Sequence, residues 1–369
     1  YSKENSDFEV QVIRSNGFGE PRGPFSRLNS DDALSNANGN TFFGRFDDNR
    51  LRQYALFGEA SYELSPQLTA TVGARYFNSN IKSRQETTHP FGGFGPNPEG
   101  VLSNNNTDEK TTFKFNLSWR PNDDVLVYAN AAQGFRTGGL NQANLPFASG
   151  IPEGYGPDSL WNYEVGTKLS LAENRVSLNI AAYIIDWSDI QVRALDATGA
   201  FPFTTNAGKA QIDGIEVELT ALLSEGVTVS AGGSYQNARL TEDQAAPNFG
   251  LDGDPIPNVP DILASVNFDV DRPFNETFNY VVHADMNYRD GSRTTIAPLS
   301  RDSSAVDLDS YVLANFRIGL ENDDWSVGLF ARNIFDKRAE VDAISSSQDP
   351  LARITVRPRT IGASLSRRF

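Results

Sequence analysis

The chain has 369 residues, no cysteine and a formal net charge of −15, with a sequence pI of about 4.6. The lack of Cys removes disulfide frameworks, thiolate zinc sites and thiol nucleophiles together. The acidic balance argues against a nucleic-acid partner, which requires a basic surface. Mean hydropathy is −0.42, and the longest apolar run, Ile180–Ile185, falls far short of the about 20 residues of a spanning helix. Helical membrane proteins are thereby excluded; strand-based ones are not, because a membrane strand shows lipid only every second side chain.

Taken in chain order, most of the sequence alternates with period two. The chain opens Tyr1-Ser-Lys-Glu-Asn5, without Met or a signal-peptide pattern, which is expected of a processed or truncated start. A first strand is expected over roughly 7–14, followed by a long connection at 15–50. Residues 67–76 place Leu68, Ala70, Val72, Ala74 and Tyr76 on one face and Thr69, Thr71 and Arg75 on the other. Residues 112–120 oppose Phe113, Phe115, Leu117 and Trp119 to Lys114, Asn116, Ser118 and Arg120. The pattern returns at 175–180, 215–221, 278–289 and 312–320, and a final strand is expected over 354–368. Such runs of about 10 residues match a tilted membrane crossing better than the usual 5–6 residues of soluble sheets.

The connections alternate strictly between short and long. Short ones are Ser65-Pro66, Pro121–Asp124, Ala172–Asn174, Ser224–Gly226, Arg272–Asn275 and Glu321–Asp324. Long ones fall at 15–50, 82–110, 136–159, 193–207, 240–259, 291–308 and 335–353. Outer-membrane barrels have short periplasmic turns and longer extracellular loops, so the sorting predicts one membrane side for each set. Tyr62, Trp119 and Trp325 beside short turns, and Tyr76 and Tyr288 toward long ones, fit the aromatic belts of the two interfaces. The expected fold is all-β: a transmembrane antiparallel β-barrel of about 14 strands. A soluble β-sandwich leaves the loop asymmetry unexplained.

Several segments carry a family resemblance. Ala132–Asn141 contains Gly-Phe-Arg with a downstream Asn; Asn162–Lys168 reads Asn-Tyr-Glu-Val-Gly-Thr-Lys; Gly214–Glu218 reads Gly-Ile-Glu-Val-Glu. Pro255–Asp261 is proline-rich, Asn333–Lys337 reads Asn-Ile-Phe-Asp-Lys, and Leu365–Phe369 ends on an aromatic residue. In order and spacing over about 240 residues these resemble the TonB-dependent outer-membrane receptors. The resemblance implies about 14 strands of a 22-stranded barrel with a plugged lumen, residues 1–369 being a C-terminal portion of that barrel without the plug domain. It also implies residence in the bacterial outer membrane among lipid and lipopolysaccharide, and energy coupling through the TonB protein by a segment outside this chain. The implied activity is capture and import of a scarce nutrient, first of all a ferric siderophore, with glycan, haem and cobalamin as alternatives. A smaller passive porin-like barrel closing on itself, and a secreted β-rich binding protein, stand as other readings.

No catalytic pair is visible, so no enzyme, resident metal or cofactor is expected. The two histidines, His89 and His283, lie about 194 positions apart, which supplies a metal site or triad poorly. His283 and the charged Arg75, Lys114, Glu216, Glu218, Asp285, Arg289, Arg317 and Arg332 read as a wet barrel wall. Asp252-Gly-Asp254 lacks the spacing of a calcium loop and reads as a turn. Ligand contact is expected in the long loops, from the rings of Phe91 and Phe94 and from Arg136, Asn141, Tyr155, Arg293 and Arg301, a set that suits an anionic ferric chelate. Arg357 and Arg359, before the last strand, are candidates for lipid phosphates.

Overall fold

The computed structural model describes residues 2–13, 41–88, 100–141, 151–195, 202–244, 250–294, 306–344 and 352–368. Fourteen strands form one antiparallel sheet in which every strand pairs with its sequence neighbours. They are β1 (Ser2–Ile13), β2 (Thr41–Ser65), β3 (Leu68–Thr88), β4 (Gly100–Asn122), β5 (Val125–Arg136), β6 (Asp158–Leu171) and β7 (Val176–Ser188). There follow β8 (Lys209–Ser224), β9 (Val227–Leu240), β10 (Ile262–Pro273), β11 (Asn279–Arg289), β12 (Tyr311–Glu321), β13 (Trp325–Arg332) and β14 (Thr360–Arg367). The strand count and all six short turns agree with the alternation of the sequence. The order runs from β1 to β14, and among the described residues no pairing joins these two edges.

The register shows what the alternation means. Leu56 pairs with Tyr76 and Ala60 with Val72; Val72 pairs with Phe115 and Leu68 with Trp119. The same face continues through Phe115–Ala131, Tyr163–Ile184, Ala182–Ile215, Ile215–Tyr235 and Ala231–Val266. It then passes through Val266–Met286, Ala284–Phe316 and Ile318–Leu329 to Leu329–Ala363. One unbroken apolar band thus crosses β2 to β14, and its large side chains are exposed. Along β3 the band from Leu68 to Tyr76 measures about 26 Å along the strand at 3.3 Å per residue, which at a barrel tilt of about 40° rises about 20 Å across the membrane.

The opposite face is polar and carries every charge assigned to a wet wall. His283 lies there with Nδ1 2.7 Å from Asp269 and Nε2 3.4 Å from Asp285, and Arg317 pairs with it across β12. On this face Tyr128 pairs with Gly166 and Tyr183 with Gly214. Each ring lies over the glycine, so that a Cβ would stand 2.6 Å from the Tyr128 ring and 2.7 Å from the Tyr183 ring. This close approach is the physical content of the two glycines in the segments 162–168 and 214–218.

Two expectations about connections need correction. The stretches 15–50 and 82–110 were read as loops, but β2 begins at Thr41, β3 runs to Thr88 and β4 starts at Gly100. Beyond Tyr54 polar residues dominate, with Phe46, Leu51, Phe77 and Ile81 scattered over the two faces, so the alternation disappears while backbone pairing persists. The final strand, expected over 354–368, is divided: Ala352–Thr355 pairs with Glu340–Ile344 in a hairpin of its own, and β14 starts only after Pro358, which cannot donate to a ladder. Similar short hairpins join Gln191–Leu195 to Pro202–Asn206 and Ser292–Arg293 to Asp307–Leu308.

Candidate functional site

At the long-connection end, the tops of β5 to β9 build a packed rim. Ile190, Ala207, Ala210, Ala238, Leu240 and Ile256 are buried together, with Trp187 against them, so these connections rest on a small core of their own. Arg136 closes β5 opposite Asp158, the first residue of β6. Its guanidinium grips the Asp158 carboxylate, with Nε 2.9 and 3.2 Å from the two oxygens and Nη2 closing the second arm, and lies 4.9 Å from the Trp187 ring centre. Asp158 is 2% exposed and also accepts the Gln191 backbone N–H at 3.2 Å. Gln191 in turn donates to the carbonyls of Thr137 and Gly156, both at 3.0 Å.

Asn141 is buried and clasps Thr204 in both directions, donating to its carbonyl at 2.6 Å and accepting its N–H at 2.9 Å. Tyr155 pairs with Gly139. On the other side, Phe77 meets Phe135 at 5.0 Å, and the Gly138 N–H donates to Asp108 at 2.8 Å. The rim is therefore tied to both β3–β4 and β8–β9.

Of the expected ligand contacts, the structure brings Arg136, Asn141 and Tyr155 into this one cluster. Arg293 stands apart on its hairpin, 2.9 Å from Asp307. Phe91, Phe94 and Arg301 lie outside the described residues, as does His89. Arg357 and Arg359 are exposed, and the backbone of both anchors the turn at 333–337: Asn333 donates to the Arg357 carbonyl at 2.9 Å, and the Arg359 N–H donates to Asp336 at 2.9 Å. That hydrogen bond, with the Arg338 and Arg359 charges nearby, holds the Asp336 carboxyl below the usual carboxylate range. The Asp252–Asp254 segment is a turn, with Gly253 at φ +89° and its N–H donating to Leu240 at 3.0 Å.

The organisers of the rim, Asp158, Gln191 and Thr204, were not singled out in the sequence. Asp158 had a signal: counting back from the facing ends of β5 and β6 sets it against Arg136. Gln191 had none, because its role depends on carbonyls 35 and 54 residues away. A concavity of about 540 Å³ opens on the polar face, lined among others by Glu216, Glu218, Ser234, Ser265, Asn287 and Arg289. Small side chains at Gly232 and Ser265 leave this trough between an acidic and a basic margin.

An open antiparallel sheet with one apolar face, one charged face and turns sorted by end is the wall of a wide transmembrane barrel. Residues 2–334 match the family profile described as TonB dependent receptor-like, beta-barrel. The chain belongs to this family of TonB-dependent receptors. Members are β-barrel proteins of the outer membrane, so the apolar band faces lipid, the polar face lines the lumen and the long connections lie outside. The chain is 25% identical over 301 residues to the ferric-pyoverdine M114 receptor of a Pseudomonas strain, covering 79% of this chain and 33% of that protein. It is 23% identical over 313 residues to the pesticin receptor of Yersinia pestis, covering 84% of this chain and 42% of that one. Its fold is similar to the crystal structure of the ferric yersiniabactin uptake receptor of Yersinia pestis, with a TM-score of 0.76 and 15% identity over 100% of this chain and 50% of that one. The chain thus spans about half the length of that solved receptor and less of the curated relatives.

Proposed function

We propose that this chain forms the C-terminal portion of the barrel of an outer-membrane receptor that captures a ferric siderophore and imports it with energy supplied by the TonB protein. The single observation that carries the reading is the family match over residues 2–334, together with relatives named as receptors for ferric chelates. The charged lumen face supports passage of a hydrated solute, and the packed rim of β5–β9 supports a preformed outer mouth.

In this reading the chelate meets Phe91, Phe94, Arg301, Arg293 and the Arg136–Asn141–Tyr155 rim. Arg136, gripped by Asp158, fixes the rim, and an anionic ligand would draw on Arg301 and on Arg293, whose guanidinium also pairs with Asp307. The test is uptake of iron-55 bound to a panel of siderophores by iron-starved cells, with the whole receptor present or deleted and with the TonB protein present or absent. The expected result is uptake of at least one ferric chelate that needs both proteins. Uptake of small solutes that needs the receptor but not TonB would overturn it in favour of passive diffusion.

A further inference from the structure

The trough on the polar face of β8–β11 is built from two neighbouring rows of the sheet. Register sets the upper row as Glu216, Ser234, Leu263 and Arg289, and the lower one as Glu218, Gly232, Ser265 and Asn287. The two carboxylates therefore form one margin, and Arg289 with Asn287 forms the other. Three strand spacings, about 14 Å, separate the margins. Each is anchored from outside the trough. Asn179 donates to Glu218 at 3.3 Å, and Arg289 donates to the Asn258 carbonyl at 3.1 Å. The second bond sets the trough at the foot of the connection that carries Ile256 into the rim core, so a solute leaving the mouth meets it early.

The packing of the wall does not require a glycine in the floor. Gly166, Gly214 and Gly362 lie beneath rings, and a Cβ there would come within 2.6–2.7 Å of Tyr128, Tyr183 and Phe330. A Cβ at Gly232 would instead lie 3.5 Å from Ser265 Oγ and 3.9 Å from the Val217 carbonyl oxygen, ordinary contact, and its φ is not left-handed. Neither a ring nor a turn demands glycine at this place in mid-strand, where glycine weakens the ladder. The missing side chain keeps the floor of a 540 Å³ recess bare, so that a small molecule can lie close to the backbone.

We infer that this trough is a lumen subsite for an amphoteric ferric chelate, its ammonium end taken by Glu216 and Glu218 and its carboxylate end by Arg289. Two carboxylates about 7 Å apart along β8 attract a cation more strongly than either alone, and Arg289 supplies paired donors for a carboxylate. A protein surface laid on the trough would strip water from the exposed Glu216 and Glu218 with the opposite charge about 14 Å away. A solute bearing both signs brings a counter-charge to each margin. The inference rests on the transport reading and adds to it the charge pattern of what is carried.

The experiment uses the whole receptor in iron-starved cells. The probes are an iron-55 aminocarboxylate chelate that keeps one amine clear of the iron, and the same chelate N-acetylated. Binding is read on de-energised cells and uptake on energised ones. In the unaltered receptor the amine form is expected to enter about 10-fold faster. Gly232→Leu, which fills the floor, is expected to slow that entry about 10-fold while binding at the cell surface changes by less than about 2-fold. Glu218→Gln with Arg289→Gln is expected to bring the two chelates to equal rates. Gly232→Ser, and Gly233→Leu on the lipid face, are expected to keep the preference. Equal entry of the two chelates in the unaltered receptor, or undiminished entry through both the Gly232→Leu and the Glu218–Arg289 variants, overturns the inference. So does failure of both chelates to enter where another ferric chelate does. If no ferric chelate enters with the help of TonB, the transport reading falls and the inference with it.

Discussion

The lower and upper parts of β2–β4 are the same three strands in two solvents. Below Tyr54 and Tyr76, alternate side chains are apolar and exposed, and the other face is polar. Above that level polar residues dominate both faces without a period; the inner one carries the buried Phe77, Ser79, Ser83 and Asp108, the outer one the exposed Arg50, Arg52 and Lys82. Backbone pairing continues without interruption between the two, from Glu63–Thr69 up to Gly44–Thr88. Hydrophobic alternation therefore reports which medium a strand passes through, not whether it is a strand. Where hydrocarbon ends, the pattern ends and the hydrogen-bond ladder does not.

The contrast can be broken most directly by placing the same charge in each part of one strand face. Phe115→Arg, inside the band on β4, is expected to cost about 2–4 kcal/mol of folding free energy in vesicles. Thr107→Arg, on the same face above the band, should change it by less than about 0.5 kcal/mol. Urea titration of refolding gives both numbers, and equal costs would erase the distinction. A smaller effect is expected on the lumen side of the belt. Gly166→Ala forces a Cβ into the Tyr128 ring and should cost about 1–3 kcal/mol, much of it recovered when Tyr128→Ala is added.

In the outer rim, Asp158→Asn weakens the grip on Arg136 by about 1–3 kcal/mol. Hydrogen exchange should accelerate at 137–141 and 189–208 while the belt keeps its unfolding midpoint; a shift of that midpoint would show the rim and belt to be one cooperative unit. The smallest effect concerns Asp336. Its carboxyl titrates below its unfolded value, so the stabilisation is present at neutral pH and lost as pH falls through that lowered value. Proteolysis near 333–359 should rise only in strongly acidic buffer, and Asp336→Asn should remove the dependence.

Much of this was legible because lipid imposes a rule on every second residue. The fourteen strands, the six turns and the polar wall followed from residues such as Phe113, Phe115, Leu117 and Trp119 against Lys114, Asn116 and Ser118. Residues 41–50, 82–88 and 100–110 were read as loop because stretches such as Asn104, Asn105 and Asn106 carry no period and have low strand propensity; only pairing with neighbours makes them strand. The rim was half legible. Arg136, Asn141 and Tyr155 were picked as polar groups near the mouth, and they do converge. Their present partners, Asp158, Thr204 and Gly139, come from register and from hairpins that local sequence does not announce.

The central claim is that one strand face changes medium at the Tyr54–Tyr76 level. Because the chain has no cysteine, single Cys substitutions from 103 to 119 on β4 can each carry a nitroxide in the whole receptor in lipid bilayers. The account predicts that 113, 115, 117 and 119 are accessible to oxygen and shielded from a water-soluble nickel chelate, that 114, 116 and 118 show the reverse, and that 103, 105 and 107 meet the chelate. Water access at 113–119 without alternation, or oxygen-rich alternation continuing up to 103, would contradict it.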